Sequence, residues 1–130
     1  IWTEYFLPES QFSALKAEVL NGTFSAREMR QGHMVTRMIP TPPKMLNANP
    51  ALAQSLRDHR ALNQIRYASS RGGRPTSFLQ TVLADPSIAG RDPQTDLHTD
   101  TFHSTAKAWL FLRDVGDDDG PSAACPGLTS

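Results

Sequence analysis

The chain has 130 residues, of which 38% are hydrophobic, and it carries 13 basic and 13 acidic side chains. This size suits one globular domain, and the zero net charge argues against a protein that binds nucleic acid through a basic surface. The single cysteine, the absence of a signal-peptide pattern in residues 1–8 and the short longest apolar run, 108–112, lead us to expect a cytoplasmic protein without a membrane partner.

The first predicted element is a helix over residues 8–20. Leu15 and Val19 are spaced so that they share one face of this helix with another apolar residue one turn earlier. Asn21 and Gly22 follow directly, and this pair is a typical signal for the end of a helix.

A strand and two further helices are predicted next. Residues 32–39 alternate as a strand does, and the prolines that follow should end it. Asn49 is expected to cap a second helix that has Pro50 at its first position. Asp58 is expected to cap a third, which runs through Tyr67.

The second half of the chain is predicted to be rich in strands. Residues 69–75 are a loop by composition, although the Arg-Gly-Gly-Arg within it could also hold a phosphate through backbone N–H groups. Strands are expected over 76–84, 98–102 and 106–115. The small and polar tail, 122–130, stands where another strand should follow.

Helices followed by strands predict an α+β or mainly β fold with an antiparallel sheet or a double-sheet barrel. We expect one domain over 1–130, in which 1–68 is a helical lead-in with one strand and 76–121 contains the core strands. The tail at 122–130 is atypical, and we expect the domain to be truncated there.

The strongest candidate for chemistry is the pair His98 and Asp100. On a strand these side chains point to the same side, with Cα atoms about 6.6 Å apart, while Thr99 points to the other. An imidazole and a carboxylate on one face are two of the three ligands in the iron(II) site formed by two histidines and one carboxylate. By spacing alone, a surface histidine and aspartate on a loop is the more common interpretation.

The sequence around this pair is more specific. Residues 97–121 contain His-x-Asp, a strand ending in Leu-x-Asp-Val, and an acidic turn with Gly-Pro. This stretch closely resembles the phytanoyl-CoA dioxygenase-like branch of the iron(II)/2-oxoglutarate oxygenases, and the resemblance is looser over 76–85. It implies a double-stranded β-helix core, also called a jelly roll and related to the cupins, with N-terminal helices before it.

The resemblance also implies cofactors and residue roles. Iron(II), 2-oxoglutarate and O2 would act together to hydroxylate a small organic substrate, while 2-oxoglutarate is decarboxylated to succinate. His98 and Asp100 match the first two metal ligands. Gln80, Thr99 and Trp109 match positions near the cosubstrate, although a solvated strand face for Gln80 and core packing for Trp109 are the ordinary alternatives.

The sequence also departs from the family pattern. No histidine follows His103 and no arginine follows Arg113, so candidates for the second histidine ligand and for the arginine that pairs with 2-oxoglutarate are missing. Residues 126–129 read Pro-Gly-Leu-Thr where Pro-Gly-Ser-His is usual. Two alternatives therefore stay open: a non-catalytic jelly-roll binding module, or an inactive fragment with half of the metal site. A metal-dependent hydrolase is more distant because no nucleophile or general base accompanies the pair.

Overall fold

The computed structural model describes residues 4, 6–32, 34–84 and 105–116. Within these ranges the elements in chain order are α1 (Glu9–Asn21), β1 (Arg27–Gln31), β2 (Met34–Pro40), α2 (Pro43–Ala48), α3 (Pro50–Ser55), α4 (His59–Ser69) and β3 (Phe78–Ala84). None of the described helices is long and apolar enough to cross a membrane.

Helix α1 confirms the first predicted helix within one residue at each end. Its buried residue is Leu15, which is 2% exposed. Gly22 follows the helix with an extended backbone, at φ −74°, and does not form the left-handed turn that a terminal glycine often supplies. Glycine suits this position because a Cβ there would collide with the ring of Phe24.

The three strands form one antiparallel sheet in the order β1-β2-β3. A two-residue connection joins β1 to β2, and Gly32 takes the positive φ of 55° that such tight hairpins require. The strand predicted over 32–39 therefore starts at Met34. Strand β1 was not predicted, since its residues are mostly polar and it is held by backbone pairing and by an ion pair between Glu28 and Arg37 at 2.7 Å.

The helices between β2 and β3 are only partly those expected. The sequence pattern does not predict α2, because the prolines at its start are typical of the end of a strand, whereas Pro43 is the first residue of the helix. Helix α4 is confirmed, and Asp58 caps it by accepting hydrogen bonds from the backbone N–H groups of Arg60 and Ala61 at 2.9 and 3.2 Å.

Helix α3 begins at Pro50 as predicted, but its cap comes from elsewhere. The side chain of Asn49 makes no capping hydrogen bond and instead donates to the carbonyl of Met45 at 2.8 Å. The carboxylate of Glu18, on α1, accepts from the N–H groups of Ala51 and Leu52 at 3.1 and 2.8 Å. A side chain from a different helix therefore satisfies the donors that α3 leaves open.

The core lies where α1 and α3 meet the sheet. Its buried members are Leu7, Leu15 and Leu52, and the partly buried Leu79 of β3 packs against them from the sheet. The fold is α+β with a small antiparallel sheet, as predicted. The sequence predicts one strand between the first two helices, and the structure has a two-stranded hairpin there, because β1 and β2 both lie between α1 and α2.

Residues 105–116 form no helix or strand, so the prediction of a strand over 106–115 is wrong. A strand needs a neighbour to satisfy its backbone groups, and no described strand pairs with this segment. Leu112 packs against the core cluster and fixes the segment to the helices. The strand predicted over 98–102 and the tail 122–130 lie outside the described residues.

Candidate functional site

Strand β3 places Gln80 on the side of the sheet that faces away from the core. Side chains alternate along a strand, so Gln80 lies on the face opposite to Leu79, which packs on the helices. In the antiparallel register Gln80 stands directly across from Met38. Directly paired residues share a face, so each strand contributes side chains to one surface. We call this surface the open face; it contains Phe78, Gln80 and Val82 of β3, Thr36 and Met38 of β2, and Met29 of β1.

The open face has several large apolar side chains that are exposed, and Arg27 of β1 adds an exposed cation to the same face. Phe78, Val82 and Met29 are 46%, 43% and 49% accessible, which is high for large apolar side chains in a sheet. Gln80 is exposed among them. Its amide can both donate and accept a hydrogen bond, so it could fix the orientation of a small polar ligand against an apolar surround.

Trp109 is not a core residue. Its side chain is 61% exposed, and it lies in the irregular segment 105–116 between the half-buried Ala106 and Leu112. It was expected on a strand beside the metal motif, and the structure places it on no strand. An exposed indole can cover a ligand with its ring and donate one hydrogen bond through its N–H.

The predicted metal ligands His98 and Asp100, and Thr99 between them, lie outside the described residues. Within the described ranges, no group of three or more His, Cys, Asp or Glu side chains could hold a metal ion. The chemistry of the predicted donors does suit iron(II), which accepts imidazole nitrogen and carboxylate oxygen together.

A cavity of about 540 Å³ opens at the start of α4. Gln11, Gln54, Arg57, Asp58 and His59 are among the residues that line it. Asp58 is the acid of this group, but its carboxylate is already engaged by the helix cap and by the guanidinium of Arg60. This cavity therefore lacks an available carboxylate among its described lining residues for acid–base chemistry.

The Arg60 guanidinium that is hydrogen-bonded to Asp58 lowers the pKa of that carboxyl, and the backbone N–H groups of the cap act in the same direction. The Arg60 guanidinium also lies 5.0 Å from the centre of the Phe6 ring. Hydrogen bonding to Arg37 lowers the pKa of Glu28 in the same way. Both acids are therefore structural anions rather than proton donors near neutral pH.

Comparison with protein-family models, with curated proteins and with solved structures found no match for this chain.

Proposed function

We propose that the chain belongs to an iron(II)/2-oxoglutarate-dependent oxygenase that hydroxylates a small organic molecule. The observation that carries this proposal is the sequence 97–121, in which His98 and Asp100 precede an apolar stretch and an acidic Gly-Pro turn. A cytoplasmic location belongs to the same proposal, because a single cysteine supplies no internal disulfide that would call for an oxidising compartment.

In this proposal His98 and Asp100 hold the iron, and Thr99 lies between them near the cosubstrate. Bound iron(II) supplies the redox chemistry that activates O2. Gln80 orients 2-oxoglutarate by hydrogen bonds from its amide, and Trp109 covers the cosubstrate and excludes water. The protein thus contributes binding, orientation and a dry surround.

Two features of the described residues support these roles. Gln80 lies on the open face among exposed apolar side chains, where a second layer of structure could enclose a ligand. Trp109 is exposed and available for a ligand rather than committed to the core. An antiparallel sheet with one open face is also compatible with the first strands of a jelly roll.

The test measures iron(II)-dependent formation of succinate from 2-oxoglutarate, using the natural protein that contains these residues. We expect the variant Asp100→Ala to abolish succinate formation without loss of fold, since it removes a charged metal ligand. Asp92→Ala is the matched control, because it removes the same side chain outside the motif, and it should keep full activity. Zn²⁺ should bind and inhibit, because it has no redox chemistry.

Turnover that survives in Asp100→Ala, or that Zn²⁺ supports as well as iron(II), would rule out this mechanism. An equal loss in Asp92→Ala would show that the assay reports folding rather than metal ligation. Circular dichroism of all three proteins separates these outcomes.

A second candidate is a non-catalytic binding module of the same fold. The observation that favours it is Pro126-Gly-Leu-Thr, which stands where the resembled family has Pro-Gly-Ser-His. This module would bind iron(II) through His98 and Asp100 and form no succinate. Metal binding measured in parallel with succinate formation distinguishes the two candidates.

A further inference from the structure

A cavity of about 370 Å³ lies between the end of α4, the loop that follows it and the start of segment 105–116. Its polar lining consists of three arginines and three hydroxyl residues, and the described residues around it include no Asp or Glu. We call this cavity the arginine pocket; its polar members are Arg66, Ser69, Arg71, Arg74, Thr76 and Thr105.

The backbone at the end of α4 brings two of these arginines together. Ser70 adopts the left-handed conformation, with φ 53°. Its N–H donates to the carbonyl of Tyr67 and the N–H of Arg71 donates to the carbonyl of Arg66, each at 3.2 Å. These two bonds define a Schellman motif, in which the residues at the positions of Arg66 and Arg71 commonly make an apolar side-chain contact. Here both positions hold a cation.

The guanidinium group of Arg66 also lacks a hydrogen-bond acceptor for one of its donors. The Nε atom of Arg66 is buried and has no hydrogen-bond partner in the described part of the chain. A buried donor without an acceptor is costly, and such groups commonly mark the place of a water or an ion. The last turn of α4 contributes a partial negative charge of about half a unit, which is small against three guanidinium groups.

We propose that the arginine pocket binds the phosphate group of a small phosphorylated molecule. Three guanidinium groups match a dianion better than the single charge of a carboxylate, and guanidinium binds phosphate oxygens through paired N–H donors. The hydroxyls of Ser69, Thr76 and Thr105 can donate further hydrogen bonds. The cavity is larger than one phosphate group and is of the size that holds part of a small organic ligand.

This proposal does not rest on the iron site, since none of the described lining residues is a predicted metal ligand. The chain as a whole has no net charge, which argues against the overall basic excess that is typical of nucleic-acid-binding proteins. The ligand is therefore a small molecule.

The test is equilibrium dialysis of the chain against radiolabelled pyrophosphate, with inorganic phosphate and acetate as competitors at constant ionic strength. We expect phosphate to compete and acetate to compete at least about tenfold less well. Arg66→Lys keeps the charge but loses the planar donor pair, and it should weaken binding about tenfold or more, which corresponds to 1.4 kcal/mol. Arg71→Gln and Arg74→Gln, at exposed positions, should each weaken it as well.

Arg27→Gln is the matched control, because it removes one exposed positive charge on β1, far along the chain from the pocket. It should leave binding unchanged. The proposal is overturned if Arg27→Gln weakens binding as much as Arg71→Gln, if acetate competes as well as phosphate, or if the wild-type chain retains no pyrophosphate. Single-stranded oligonucleotide that binds more tightly than pyrophosphate would overturn the small-molecule assignment. If Arg66→Lys does not fold, the two exposed variants decide the result.

Discussion

The contact between the Glu18 side chain and the start of α3 can be tested by mutation. The carboxylate of Glu18 accepts two hydrogen bonds, at 3.1 and 2.8 Å, from the backbone N–H groups of Ala51 and Leu52. A helix of six residues is too short to be stable alone, and the side chain of Asn49 does not cap it. The variant Glu18→Ala should therefore release both α3 and its attachment to α1.

Hydrogen bonds to a charged group contribute roughly 1.5–3 kcal/mol each when they are buried. Glu18 is half-buried, so water can replace part of what is lost. We take the upper end of the range for N-cap removal and expect Glu18→Ala to lower the free energy of unfolding by about 2 kcal/mol. Glu18→Gln keeps one acceptor oxygen and should lower it by about 1 kcal/mol.

The measurement is urea unfolding followed by circular dichroism. Glu9→Ala is the matched control, because it makes the same substitution in the same helix where the carboxylate accepts one exposed hydrogen bond from Ser13. It should cost less than about 1 kcal/mol, although Glu9 also lies in the first turn of α1, where a carboxylate interacts favourably with the helix dipole. An effect of Glu18→Ala no larger than that of Glu9→Ala would refute the assignment of Glu18 as the cap of α3.

Three other outcomes are expected. Leu15→Ala should destabilise the chain by about 2–5 kcal/mol in urea unfolding, while Leu83→Ala, at a 40% exposed position, should cost less than about 1.5 kcal/mol; equal costs would contradict the assignment of the core. The lowered pKa of Asp58 means that its contribution is complete above the ordinary value of 3.8 and is lost as pH falls through the lowered folded-state value. The stability difference between wild type and Asp58→Ala should thus shrink on acidification, and a difference that grows would contradict the sign. The 130-residue chain should self-associate in light scattering through its exposed apolar side chains; a monodisperse monomer would contradict this expectation.

Sequence patterns predict the helices and strands that are determined by residues close together in the chain. Helix α1 follows from the spacing of its apolar residues, and α4 follows from Asp58, which acts within its own turn of backbone. Strand β3 follows from an apolar run with a clear end at Asp85 and Pro86. In each of these elements the residues that decide the structure are neighbours in the sequence.

Elements that depend on distant partners could not be predicted in this way. Strand β1 has a polar sequence and exists because β2 lies beside it. The cap of α3 comes from Glu18, more than thirty positions earlier. For the candidate sites, the sequence supplied His98 and Asp100 as a motif. The loop at residues 69–75 is predicted from its glycines as a possible phosphate site. The part that Arg66 plays in the arginine pocket could not be predicted, because Arg66 belongs to α4 and only the folded chain brings it beside the loop.

The way β3 joins the sheet has a consequence for the order of folding. The β1–β2 hairpin closes a very short connection, whereas β2 meets β3 only after three helices. Thr41 and Ser77, 36 positions apart, are hydrogen-bonded at the base of this excursion. Each doubling of a closed loop costs about 0.6 kcal/mol of chain entropy, so this pairing is roughly 2–3 kcal/mol harder to initiate than the hairpin. We therefore expect β3 to dock last during folding and its amide protons to exchange with solvent before those of β2. Gln80 would then be held in place by the final contact to form.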